Sequence, residues 1–187
     1  MLNNLPNLLT LSRIVATPIL VALLYFHDPV MRWVALVLFA AAGATDYLDG
    51  YLARNLGQVS AMGRIFDPIA DKLLVSSVIV ILVAIDQIQG WVVIPAIVIL
   101  CREILVSGLR EYLAEVKVPL PVSRLAKWKT VLQMIALGFL IVGDEAGPAI
   151  LPVDLIGDTG LWIAALLTFV TGYDYLARGL THISQED

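Results

Sequence analysis

Asp46, Asp49, Asp67 and Asp71 stand close together in an otherwise apolar chain, in the stretch DYLDGYLARNLGQVSAMGRIFDPIAD that runs from 46 to 71. Aspartates without thiolate or imidazole beside them are hard oxygen ligands, suited to Mg²⁺ or Mn²⁺ rather than to zinc or copper. Two such ions balance four carboxylates. A pair held about 3.5–4 Å apart can clamp the attacking and leaving oxygens of an in-line phosphoryl displacement. The predicted chemistry is metal-assisted transfer at phosphorus.

Helices have to bring these groups together. Asp46, Asp49, Gly50 and Ala53 are spaced i, i+3, i+4, i+7 and share one helical face. Asp67 and Asp71 are i, i+4 and are expected to open the next helix. Gly57 and Gly63 between them are expected to allow a tight reversal that turns both faces into one cavity. Small residues at Gly50 and Ala53 leave room for a ligand against the helix, although they would equally serve close helix packing. Arg54 at the helix end has the fork geometry for a phosphate. The competing account, acidic residues placed for the helix dipole, is worth about 0.3–1 kcal/mol. One aspartate at mid-membrane depth costs about 2.5–3.5 kcal/mol. The dipole alone therefore does not explain the set, even with Arg54, Arg64 and Lys72 nearby.

That cost applies because the chain is built for lipid. Of 187 residues 59% are hydrophobic and 15% charged, and the mean hydropathy is +0.87, outside the soluble range. The expected fold is an all-α membrane protein with six transmembrane helices: Leu5–Phe26, Met31–Arg54, Asp67–Ile85, Trp91–Leu113, Ser123–Val142 and Leu155–Leu180. Residues 1–187 are expected to form one domain. Breaks are expected at HDP, at DQIQG and along GDEAGPAILPVDLIGDTG. Arg13, Arg54, Arg64, Lys72, Arg102, Arg110, Lys117, Arg124, Lys127, Lys129 and Arg178 fall on one side of these spans and Arg32 alone on the other. The positive-inside rule makes the first side cytoplasmic, with both termini and the acidic stretch. The N-terminal segment lacks the basic region of a secretory signal and is expected to be retained. Cys101 is the only cysteine, so no intramolecular disulfide forms. His27 and His182 lie away from the acids, which leaves a carboxylate as the available base.

The pattern Asp46-x2-Asp49-Gly50-x2-Ala53-Arg54-x8-Gly63-x3-Asp67-x3-Asp71 resembles the signature of the CDP-alcohol phosphatidyltransferases at every one of these positions. The resemblance implies a six-helix membrane enzyme, usually a homodimer, in which an alcohol displaces CMP from a CDP-linked lipid. By position, Asp46, Asp49, Asp67 and Asp71 would hold the divalent ions, Mg²⁺ or Mn²⁺ and two in number. Asp71 would also take the proton of the incoming hydroxyl. Asp46, Gly50, Ala53, Arg54 and Gly63 would line the CDP-lipid site. The stretches NLPNLLTLSR, TDYLDG, FDPIADK, CREILVSGLREYLAE and KWKTVLQMIAL are similar to the branch that joins CDP-diacylglycerol to sn-glycerol 3-phosphate. Its setting would be a bacterial plasma membrane with the site facing the cytoplasm, and no nucleic acid is implied.

A second set of charges follows in the fourth and fifth spans. Glu103, Ser107 and Arg110 share a face, as do Lys127 and Thr130. Charges at this depth usually line a polar cavity. Arg110 and Lys127 are expected to bind the acceptor phosphate. Arg124 and Lys129 are expected to snorkel to the headgroups. Arg13 either closes the same cavity or anchors the first helix at the interface. The rival readings are a same-family enzyme with inositol phosphate, phosphatidylglycerol or serine as acceptor, an intramembrane prenyltransferase, and a cation transporter. The transporter lacks matching acids through the other half of the membrane.

Overall fold

The structure is a computed structural model that describes residues 5–55, 61–116 and 124–183. The side chains of residues 5, 6, 46–55, 61, 62, 64, 115, 124, 126, 174 and 177–183 also lie outside the description. The described residues are helical, without strands. In order they form α1 (Leu5–Tyr25), α2 (Pro29–Asn55), α3 (Ala61–Ala84), a 3₁₀ turn (Gly90–Val92), α4 (Val93–Glu115), α5 (Arg124–Ala146) and α6 (Val153–Ile183). Six helices were expected and six are present among the described residues. Three segments, Asn7–Tyr25, Gly90–Ala114 and Val153–Tyr173, are long and apolar enough to cross a membrane.

Two turns fall where turn residues predict them. His27 and Asp86 both adopt positive φ, at 53° and 56°, a conformation that His and Asp tolerate better than most residues. Asp28 then caps α2, its Oδ1 accepting from the backbone N–H groups of Val30 at 2.9 Å and Met31 at 3.1 Å.

Two boundaries differ from expectation. Asp67 does not open its helix: α3 begins at Ala61, so Asp67 and Asp71 lie well inside it, and Gly63 is a helical residue rather than part of a reversal. Asp67-Pro68 reads as a helix start, yet Ala61 to Phe66 continue the helix upstream of it. The break after α5 is likewise shorter than predicted, because DLIGDTG is the first part of α6. Glycines that end a soluble helix are tolerated in a membrane helix, where few other ways of satisfying the backbone exist.

The chain forms two compact units. One comprises residues 1–88 and 137–154, the other residues 89–136 and 155–187. In the first, α1 packs against both α2 and α3, with Leu20, Leu24, Phe39, Leu74, Val78 and Leu82 buried. The small buried residues Ala35, Ala42 and Ala70 suit close helix approach.

One end of this unit is tied together by Arg32. Its Nη1 donates to Gln87 Oε1 at 2.7 Å and to the carbonyls of Ile141 and Val142 at 3.4 and 3.5 Å. Its other terminal nitrogen is 3.8 Å from Glu145. Gln87 Nε2 donates to Asp154 Oδ1 at 2.6 Å, and Asp144 and Asp154 exchange backbone-to-carboxylate hydrogen bonds. Gly143 makes the turn toward this network at φ 66°, ψ 170°, a region open essentially to glycine alone. A Cβ there would stand 2.8 Å from both Arg32 Nη1 and Gln87 Oε1. Gly143→Ala is therefore expected to cost about 1–3 kcal/mol, read as a lower thermal midpoint of the purified full chain in detergent. An unchanged midpoint would contradict this packing.

Candidate active site

In the first unit, α3 carries Asp67 and Asp71 one turn apart, so both lie on one helical face as their spacing predicts. Asp67 Oδ1 accepts a 2.5 Å hydrogen bond from Thr10 Oγ1 of α1. Thr10 is 2% exposed and Arg13 1% exposed, with Asn7 and Thr17 also buried. Buried polar groups require hydrogen bonds; Thr17 meets this locally, its hydroxyl donating to the Arg13 carbonyl at 3.0 Å. Positions 7, 10, 13 and 17 together make a polar stripe along α1. Arg13 therefore lies inside the protein, which excludes the interfacial-anchor alternative. Lys72 donates to the Pro68 carbonyl at 3.2 Å.

The backbones of Asp46, Asp49, Gly50, Ala53 and Arg54 belong to the C-terminal part of α2, which continues to Asn55. Their side chains, and with them the expected metal and nucleotide contacts, lie outside the described residues. Gly63 sits in the first turn of α3.

Thr10 escaped the reading of the sequence. The signal was available: Asn7, Thr10, Arg13 and Thr17 recur at helical spacing in a span otherwise nearly free of polar residues.

In the second unit, α4 and α5 carry the other charges. Glu103 accepts from Lys129 in a short charge-assisted hydrogen bond and from Arg102 Nη1 at 3.3 Å. Lys129 is buried, not snorkelling. Lys127 is exposed. The reversal has a geometric cause: two residues apart on a helix is about 200° of rotation, so a lysine at 129 that reaches Glu103 directs position 127 away. Arg110 is exposed, with its guanidinium carbon 5.9 Å from the Tyr175 ring centre, and that of Arg102 is 6.0 Å from the same ring. Ser107 donates to Glu111 at 3.4 Å.

The family model of the CDP-alcohol phosphatidyltransferases matches residues 3–170. A protein of Rickettsia typhi is 50% identical over 97% of this chain and 99% of its own length. Relatives from Pseudomonas fluorescens, at 40% over 98% and 93%, and Bacillus subtilis, at 38% over 94% and 94%, are similar at greater distance. All three are named CDP-diacylglycerol--glycerol-3-phosphate 3-phosphatidyltransferase. A match covering most of the chain, together with relatives similar almost end to end, shows that this chain belongs to the CDP-alcohol phosphatidyltransferase family.

Proposed function

We propose that the chain transfers the phosphatidyl group of CDP-diacylglycerol to sn-glycerol 3-phosphate, giving phosphatidylglycerophosphate and CMP. The observation that carries this reading is the 50% identity, over nearly the whole of both chains, to a protein named for that reaction. The cationic cluster around Arg110 supports an acceptor that bears a phosphate and weakens serine. We read the chain as one domain in a bacterial plasma membrane, with both termini and the site on the cytoplasmic side, and as a homodimer.

Members of the family generally use divalent metal ions. The donor chemistry fits, because Asp67 and Asp71 offer carboxylate oxygens and the remaining donors of the motif, Asp46 and Asp49, are of the same hard type. Mg²⁺ or Mn²⁺, two ions in this reading, would be held by Asp46, Asp49, Asp67 and Asp71 and would supply Lewis-acid polarisation of the diphosphate. Thr10 fixes the Asp67 carboxylate from α1. Gly50, Ala53, Arg54 and Gly63 accommodate the CDP moiety alongside Asp46. Asp71 accepts the proton of the acceptor hydroxyl as its oxygen bonds to the lipid-bearing phosphorus. The bond from that phosphorus to the bridging oxygen breaks, and CMP leaves with the electron pair. Arg110 binds the acceptor phosphate, while Lys127, which the sequence pattern had paired with it, faces away from the cluster; positioning and fixed charge, rather than a covalent enzyme intermediate, lower the barrier.

The direct test is CMP release from CDP-diacylglycerol by the purified chain in detergent micelles. Release should require both sn-glycerol 3-phosphate and a divalent cation. Full activity after exhaustive chelation, or transfer to inositol phosphate in preference to glycerol 3-phosphate, would refute the reading. Asp71→Asn is expected to lower kcat by about 10²–10⁴-fold with an unchanged melting profile; near-normal turnover would place the base elsewhere. Thr10→Val, which removes the hydrogen bond to Asp67, is expected to weaken metal affinity or activity by about 10–100-fold, with Thr10→Ser retaining both. A cation titration of activity that is the same for all three proteins would separate Thr10 from the metal ligands.

A further inference from the structure

In the second unit Lys129, Arg102 and Arg110 lie in one cluster of described side chains with Glu103. Lys129 and Arg102 share that one carboxylate, which leaves cationic donors suited to a phosphate monoester. Lys129 is committed to Glu103 and is buried. Arg102 makes one ion-pair contact through Nη1, while its Nε, also inside the protein, donates to no acceptor among the described residues. This guanidinium therefore keeps donor capacity for an anion, and a planar guanidinium meets phosphate oxygens in bidentate fashion.

The element that seats both arginines is α6. Tyr175, itself buried, places one aromatic ring within about 6 Å of both guanidinium carbons, at 6.0 Å for Arg102 and 5.9 Å for Arg110. That is the range in which the ring's negative face attracts a cation. One turn earlier, Gly172 lets the helix come against the Arg102 stem: a Cβ there would be 3.1 Å from Arg102 Cγ and 3.8 Å from its Nε. Like-charged guanidiniums repel, so two of them held beside one ring need such a counterweight.

We propose that Tyr175 is a positioning residue for the acceptor substrate, holding Arg102 and Arg110 so that their donors converge on its phosphate, and that Arg102 is a further acceptor-binding residue. This rests on the reading that glycerol 3-phosphate is the acceptor and Arg110 its contact. The role is one of orientation, with no part in proton transfer or in binding the CDP-lipid.

The test is steady-state kinetics of the full chain in micelles, varying each substrate at a saturating level of the other, for the wild type and for Arg110→Ala, Tyr175→Leu and Tyr175→Phe. Loss of the ring under two cations should raise KM for glycerol 3-phosphate by about 5–30-fold in Tyr175→Leu. KM for CDP-diacylglycerol and kcat should stay within about twofold, since binding rather than chemistry is altered. Tyr175→Phe, which keeps the aromatic face, should restore the wild-type value. An unselective loss in Tyr175→Leu, or none, overturns the proposal. If Arg110→Ala raises the acceptor KM and Tyr175→Leu does not, Tyr175 alone loses its role; if Arg110→Ala leaves it unchanged, the acceptor reading of the cluster falls as well. Should Tyr175→Leu not be recovered folded, Gly172→Ala displaces the Arg102 stem while keeping the ring. An unchanged acceptor KM in that variant overturns the proposal equally.

Discussion

A charge removed from water must find its complement close by, and this requirement organises the described parts of the chain. Apolar side chains gain little by exchanging lipid for protein, so helix association in a membrane leans on close packing and polar contacts. Arg32 is met by two carbonyls, Gln87 and Glu145. Lys129 and Arg102 share Glu103. These pairs are weak evidence for raw stability, since desolvation offsets much of their attraction, but breaking one partner leaves an uncompensated charge inside the protein.

The two kinds of charge fall in different units. The carboxylate motif belongs wholly to the first, where Thr10 supports Asp67 from a neighbouring helix. Arg102, Arg110 and Lys129 belong to the second, beside Glu103 and Tyr175. α5 contributes to both, its residues to Ala136 in one unit and those from Leu137 in the other.

Much of the architecture could be read before any coordinates, because runs of apolar residues near the length of a bilayer admit few alternatives. The aspartates were conspicuous for the same reason: a charge stands out where charge is expensive. Failures came where local cues and tertiary context disagree. Asp67-Pro68 resembles a helix start, and only the helicity of residues 61–66 shows otherwise. Lys129 is buried and Lys127 exposed, the reverse of what their sequence positions suggest. On a helix apolar over most of its circumference, periodicity does not distinguish the face toward the protein from the face toward lipid, and the presence of Glu103 opposite position 129 decides it. Tyr175 and Gly172 carry no chemistry of their own, so nothing in their type or spacing singles them out until the arginines beside them are seen.

Arg32 also bears on how the chain assembles during synthesis. Its partners come from residues 87, 141, 142 and 145, and the hydrogen-bond chain continues to residue 154. A nascent polypeptide that has emerged only as far as α4 has made the arginine and Gln87 but none of the backbone acceptors from α5. The amino-terminal helices thus cannot complete their packing at this end in the order in which they leave the ribosome. Their final closure waits for a segment of α5 that is made only after the whole of α4.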